Sequence, residues 1–308
     1  MAIAAKFEID YVQYMDAEGR LVRDDLPEFA RDLDHMVELY KLMVSTRIFD
    51  AKSVAMQRTG KLGTYASCLG QEATQVGVGS AMRPEDVLSL SYREYGAQLY
   101  RGVQPREVYT YWGGDERGND YQQEPARHDF AWSVPIATQC LHAAGAALAF
   151  KIRNEPRVAV CCVGDGGTSK GDFYGAINMA GAQQLPLVAV IINNQWAISL
   201  PRHQQTGART LAQKGIAAGL YSVQVDGNDI IAVRAVVEEA IERARNGQGG
   251  SGSEAGTYRL FDHTTAEEAR RYRATGEVNE DGTRETHKRL GAERKSVVEG
   301  TRGERGGR

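Results

Sequence analysis

Two runs with almost no polar atom, residues 158–163 (VAVCCV) and 187–192 (LVAVII), constrain this chain more than anything else in it. A strand that is apolar at every position is covered on both faces, the situation found inside a parallel sheet. Between the runs, Phe173, Ile177 and Ala180 fall at helical spacing within residues 171–184, and Leu185-Pro186 ends the pattern. Strand, helix, strand in that order is the right-handed crossover of a parallel sheet.

The pattern recurs. Residues 222–226 (SVQVD) read as another strand, and Asp229 is placed to cap a helix over 230–245. Upstream, Val37, Tyr40, Val44, Ile48, Ala51 and Ala55 define a helix over 34–58 that Gly60 closes, and an alanine-rich helix covers 137–151 ahead of Asn154-Glu155-Pro156. The class is therefore α/β, a parallel sheet flanked by helices, and 308 residues suffice to bury a real core. The expected boundaries are an N-terminal arm (1–33), a main domain (34–273) and a charged tail (274–308). Large apolar residues nearly vanish from that tail, so it reads as disordered or at best loosely helical.

Charge and thiols exclude some classes. The chain has 37 Lys and Arg against 40 Asp and Glu, a formal charge of −3, so no phosphate-coating surface dominates and nucleic acid is not an expected partner. Cys68, Cys140, Cys161 and Cys162 include no CxxC pair, which suggests a reducing compartment. No stretch approaches the about 18 apolar residues of a membrane span, and acidic residues enter the N-terminus early. The expectation is a soluble, cytoplasmic chain without membrane contact.

In an open parallel sheet, ligands bind beyond the carboxyl ends of the strands. Two turns emerge there: Gly164-Asp165-Gly166-Gly167 after the first run and Asn193-Asn194 after the second. If those strands are neighbours, Asp165 and Asn194 meet. A carboxylate and an amide oxygen suit a small divalent cation that fills its other positions with phosphate oxygens and water. Glycines let a diphosphate approach the backbone, and the helix beginning near Gly171 offers free N–H groups. Taken alone, the same glycines fit a plain strand-to-helix turn equally well. The spacing GxGxxxxG is not the dinucleotide fingerprint, and Ser169-Lys170-Gly171 is not a Walker loop, so nicotinamide and nucleoside triphosphate readings are weak.

With these turns on the page, the sequence resembles a known family. The aspartate of GDG and the second asparagine of NN lie 194 − 165 = 29 residues apart, as in the thiamine diphosphate motif. SYREYGAQLYRG, SVPIATQ, NNQWAIS and TYRLFDHTTAEEARRYR, with LPEFARD and GTYASCLGQEA, resemble alpha subunits of 2-oxo acid dehydrogenases over roughly residues 10–245 and 257–273. LGTYAS, GNDY and RHDF look most like the pyruvate branch.

The resemblance implies the thiamine diphosphate-binding fold. It implies Mg²⁺ held by Asp165, Asn194 and the carbonyl of Trp196, and a cofactor met by Tyr92, Arg93, Val134, Gly166 and Gly167. Arg93 suits a diphosphate because its planar fork donates two bonds at once. Ile136 stands where the family places an apolar wedge under the bent cofactor, and it also reads as plain core. His263 matches an active-site histidine on a mobile loop. His203 has no such match and reads as a surface residue. Ser133, Pro135, Thr138 and Gln139 match a monovalent-cation site, admitting K⁺. The implied reaction is oxidative decarboxylation of pyruvate with acetyl transfer to a lipoyl domain. The proton-exchanging glutamate would come from a beta subunit in an α₂β₂ assembly, since Glu72 matches only a helix start. Branched-chain 2-oxo acid or acetoin dehydrogenase, or a non-catalytic assembly subunit, are the alternatives.

Two segments depart from the family. GGSGSEAG, just before Thr257, has no strand-forming residue where relatives have a strand, and the tail is short and rich in Gly, Arg and Glu. The expectation is a missing strand, an altered C-terminus and weakened order in the loop that carries His263.

Overall fold

A computed structural model describes residues 1–283, 285, 286 and 289–291. Its main sheet has six strands: β1 (Tyr11–Val12), β2 (Val87–Ser89), β3 (Ala159–Gly164), β4 (Leu187–Asn193), β7 (Tyr221–Asp226) and β8 (Ser251–Gly256). A small antiparallel hairpin of β5 (Trp196–Ala197) and β6 (Leu200–Pro201) follows β4. The sheet order is β1-β7-β8-β4-β3-β2, and every pairing is parallel.

Alternate residues of the two apolar runs go to opposite faces, as side chains in a strand must. Val160, Cys162, Val188, Val190 and Ile192 pack under helices Leu33–Arg58, Glu72–Ala81 and Ile230–Arg245. Cys161, Val163, Leu187, Ala189 and Ile191 pack under helices Thr138–Arg153 and Gly171–Gln183. Both faces are thus buried, and the fold class read from the sequence holds. The four free cysteines are all buried. Among the described residues, no helix is long and apolar enough to cross a membrane.

The helix signals act as expected. Asp229 accepts from the N–H groups of Ile231 and Ala232 at 3.0 and 3.1 Å, and Gly60 takes φ +75° after the Leu33–Arg58 helix. The other carboxylate oxygen of Asp229 accepts from Tyr14 and Met15 at 2.6 and 2.7 Å. That bond and the β1–β7 ladder dock the segment expected to be an arm, and Met15 is fully buried.

The missing strand is a correction. Ser251–Gly256 forms β8 in the middle of the sheet, paired with β4 on one side and β7 on the other. Strand propensities span only about 1 kcal/mol, and a backbone inserted between two ladders gains hydrogen bonds on both edges. Its small side chains also have a steric role. The short helix Ala212–Ala217 lies over β8 and β7, and a Cβ on Gly252 would meet Ser222 Oγ at 3.2 Å. In the tail, Thr275–Thr283 is helical with no buried residue, while Arg289 pairs with Asp226 at 2.6 Å and Leu290 is buried. The rest of the segment expected to be disordered (284, 287, 288 and 292–308) lies outside the described residues.

Helix Gly171–Gln183 crosses the turn after helix Ala212–Ala217 so closely that a Cβ on Gly181 would overlap the Ala218 carbonyl oxygen. Backbone cannot step aside as a side chain can. Gly181→Ala is therefore expected to destabilise the fold by about 3 kcal/mol, at the upper end for overpacking, measurable by denaturant unfolding.

Candidate active site

The carboxyl ends of β3 and β4 lie side by side, with Gly164 opposite Ile192 in the ladder. The chain leaving β3 makes the 3₁₀ turn Asp165–Ser169, and the chain leaving β4 passes through Asn194 into the β5–β6 hairpin. Between them opens a cavity of about 320 Å³, at the lower end of the range for small-molecule sites. Tyr92, Arg93, Ile136, Asp165, Gly166, Gly167, Asn194, Trp196 and His263 all line it. Val134 does not, and its side chain is exposed.

Three non-glycine residues with left-handed backbone line it or adjoin its lining residues: Ile198 (φ +54°) lines it, Ala137 (φ +67°) follows Ile136 and Gln195 (φ +72°) precedes Trp196. A β-branched residue such as Ile198 adopts that region only at a cost of order 1–3 kcal/mol, and such strain concentrates at functional sites. The glycines have a packing role besides the one expected of them. A Cβ on Gly166 would lie 2.5 Å from Ala197 Cβ, and one on Gly167 would lie 2.5 Å from Val163 Cγ2. Packing against the hairpin and the strand thus also requires glycine at 166 and 167, while both still line the cavity.

Asp165 is buried, and its Oδ2 accepts from Gln205 Nε2 at 2.9 Å. Burial raises its pKa above the usual carboxylate value, opposed by Gln205 and by nearby backbone N–H groups. Asn194 is also buried, its Oδ1 accepting from the Trp196 N–H at 3.3 Å. Trp196 donates its indole N–H to the Tyr258 hydroxyl at 3.2 Å. Among the described residues no three His, Cys, Asp or Glu side chains form a metal-binding cluster. An ion here would rest on one carboxylate, one amide oxygen, main-chain carbonyl and ligand oxygens.

Arg93 is 6% exposed, and its guanidinium donates to the Ser67 carbonyl, to the His263 carbonyl at 2.9 Å and to His263 Nδ1 at 3.2 Å. Arg259 Nη1 approaches the same Nδ1 at 3.5 Å. Two cationic donors facing Nδ1 make it an acceptor, which leaves the ring proton on Nε2. Burial, then Arg93 and Arg259, push the His263 pKa down to about 3.

The His263 loop is tied down on several sides, contrary to the expected loss of order. Thr265 N–H donates to the Tyr65 carbonyl at 2.9 Å, and Tyr65 N–H donates to Thr265 Oγ1 at 3.1 Å. Arg259 holds the Ile198 carbonyl and the Tyr272 hydroxyl at 2.9 and 2.7 Å. Glu72 does not line the cavity: it pairs with Arg47 at 3.0 Å and accepts from the Gly70 N–H at 3.1 Å. His203 is exposed as expected, but Gln205, two residues on, reaches Asp165. Glu94 was also invisible from the sequence as a site residue. It lines the cavity fully buried, and desolvation raises its pKa to about 7. Gln139 donates to the Cys162 carbonyl at 2.8 Å, and its own Oε1 has no partner among the described residues.

The sequence profile of the dehydrogenase E1 component family matches residues 40–293. This chain belongs to that family. Among its relatives, the 3-methyl-2-oxobutanoate dehydrogenase subunit alpha of Mycobacterium tuberculosis is 43% identical over 277 residues, 88% of this chain and 74% of that protein. The pyruvate dehydrogenase E1 component subunit alpha of Acholeplasma laidlawii is 42% identical over 267 residues, 86% and 76%. Its counterpart in Staphylococcus aureus is 40% identical over 274 residues, 89% and 73%. The resemblance to alpha subunits of 2-oxo acid dehydrogenases thus holds, and with it the enzyme class: an E1 dehydrogenase chain with an oxidoreductase role within a complex.

Proposed function

We propose that this E1 chain is the alpha subunit of a thiamine diphosphate- and Mg²⁺-dependent pyruvate dehydrogenase, acting in the cytoplasm. With a beta subunit in an α₂β₂ assembly it would oxidatively decarboxylate pyruvate and pass the acetyl group to a lipoyl domain. One observation carries the reading: a buried guanidinium, Arg93, whose hydrogen-bond partners among the described residues are all neutral, in the same cavity as the buried carboxylate Asp165. A cation without a carboxylate partner and an under-satisfied carboxylate are the complementary needs of an anion that carries a metal ion.

The residues fit that group. Asp165, Asn194 and the Trp196 carbonyl would hold Mg²⁺, Arg93 and Tyr92 would meet the diphosphate, and Ile136 would support the cofactor's apolar underside. The Gln139 Oε1 that lacks a partner, with Ser133, Pro135 and Thr138, supports a K⁺ site. When bound, thiamine diphosphate supplies the electron sink that lets a 2-oxo acid lose carbon dioxide. His263, neutral with its proton on Nε2, would donate a hydrogen bond to the substrate carbonyl or the diphosphate rather than act as a strong acid. Glu72 is committed to Arg47, and the proton-exchanging carboxylate would come from the beta subunit, with the site completed between chains.

The 43% identity to a 3-methyl-2-oxobutanoate dehydrogenase chain favours a second reading, a branched-chain substrate. Acetoin dehydrogenase and a non-catalytic assembly role are weaker. Extra methyl groups change discrimination by about 10- to 200-fold each. The reconstituted heteromer is expected to prefer pyruvate over 3-methyl-2-oxobutanoate by roughly tenfold or more in kcat/KM. Equal rates, or the opposite preference, would transfer the assignment to the branched-chain reading. Cofactor binding without turnover would leave only the assembly role.

A further inference from the structure

The two segments that carry the proposed metal ligands are joined by a path of buried hydrogen bonds outside the cavity. Glu254, in the central strand β8, is fully buried. Its Oε1 accepts from Asn193 Nδ2 at 2.7 Å and its Oε2 from the Ala212 N–H at 3.0 Å. Asn193 precedes Asn194, and its Oδ1 accepts from the Gln195 N–H at 3.3 Å, at one of the left-handed positions. Two residues after Ala212, Lys214 Nζ donates to the carbonyl and the hydroxyl of Thr168, both at 2.8 Å. The Thr168 hydroxyl in turn donates to the Asp165 carbonyl at 2.7 Å. The path therefore runs Asn193, Glu254, helix Ala212–Ala217, Lys214, Thr168, Asp165.

Each member has the chemistry its place needs. Two N–H donors converge on Glu254, and only a carboxylate offers both an oxygen. Two acceptors converge on Lys214, and an ammonium satisfies both. Buried charges of opposite sign on and beside one short helix offset part of each other's desolvation. Partners of this kind, one step behind the ligands, set the ligands' orientation.

We propose that Glu254 and Lys214 are positioning residues that hold the 193–194 and 165–169 segments in one relative geometry, so that the Asp165 and Asn194 side chains converge on a single ion. The inference rests on the functional reading above. Calorimetric titration of Mg²⁺ with thiamine diphosphate into the full chain reconstituted with its beta subunit tests it. Glu254→Gln keeps size but turns an amide N–H₂ toward one of the two donors, and Lys214→Met removes both bonds to Thr168. Each is expected to weaken cofactor binding roughly ten- to hundredfold. Lys214→Arg, which keeps donors there, should recover part of the loss. Val237→Ala, a core truncation far from these loops, should lower Tm and leave Kd unchanged. Wild-type Kd in Glu254→Gln and Lys214→Met, with only Tm reduced, would overturn the inference alone. If Glu254→Gln fails to assemble, the Lys214 pair decides. A wild-type heteromer that binds no cofactor would overturn the functional reading, and the inference with it.

Discussion

Asp165→Asn is expected to lower Mg²⁺-dependent thiamine diphosphate affinity of the reconstituted enzyme by more than about a hundredfold, beyond the usual loss for an outer partner. The cofactor-free protein should remain as stable as the wild type or become more so. Asp165 is 3% exposed, and among the described residues its side-chain donor is Gln205. A carboxylate in that position loses hydration and regains little, as the raised pKa reflects. Asparagine keeps an oxygen for Gln205, adds no volume and removes the buried charge, but it also removes the one anionic ligand of the proposed ion. Thermal melts separate the two effects. Cofactor at a hundred times its Kd stabilises the wild type by about 2.7 kcal/mol, and the variant should show none of that gain. A variant that melts well below the cofactor-free wild type would show that the carboxylate has a structural role instead. Retained turnover would remove Asp165 from the ion.

Much of this arrangement is legible without coordinates, because it depends on patterns a chain cannot hide. Residues 158–163 and 187–192 have to be buried on both faces, and two such strands with one helix between them lie close in the sheet. Asp165 and Asn194 therefore follow neighbouring strands at their carboxyl ends and line one cavity. What stays hidden depends on position rather than composition. SGSEAG becomes a central strand because β4 and β7 leave a gap that any backbone can fill, and because a glycine at 252 stays clear of the Ser222 hydroxyl on β7. Glu254 looks like a solvated charge in a glycine-rich stretch, and its full burial follows only from that insertion. Gly166 and Gly167 announce closeness without saying to what, and besides lining the cavity they pack against Ala197 and Val163. Gln205 sits in a short surface helix whose charged neighbours draw attention away from it.

Replacing Arg93 separates charge from geometry. Its guanidinium bridges the Ser67 carbonyl, on the loop before helix Glu72–Ala81, and His263, on the loop after β8. Arg93→Lys keeps the charge, but a compact ammonium without the branched guanidinium cannot reach both loops and present a fork to a diphosphate. Losing two charge-assisted hydrogen bonds should cost about 3 kcal/mol, on the order of a hundredfold in diphosphate affinity, and Arg93→Met should cost more. His263 reports the difference. Burial is the first cause of its depressed pKa, about 3, and Arg93 is the second. The unfolded chain binds a proton at the ordinary value near 6.5 while the folded ring does not, so this group withdraws stability as pH falls from about 6.5 toward 3. The slope reaches at most about 1.4 kcal/mol per pH unit, and above that window the contribution is flat. In the cofactor-free wild type and in Arg93→Lys, the His263 ring resonances should therefore stay constant from pH 8 to pH 5. In Arg93→Met the ring should titrate at higher pH and the acid sensitivity should shrink, because the folded value moves back toward the unfolded one. A wild-type His263 that titrates near its ordinary value would mean that Arg93 and Arg259 do not face it in solution. Wild-type diphosphate affinity in Arg93→Lys would mean that charge alone, and not the planar fork, is what the site requires.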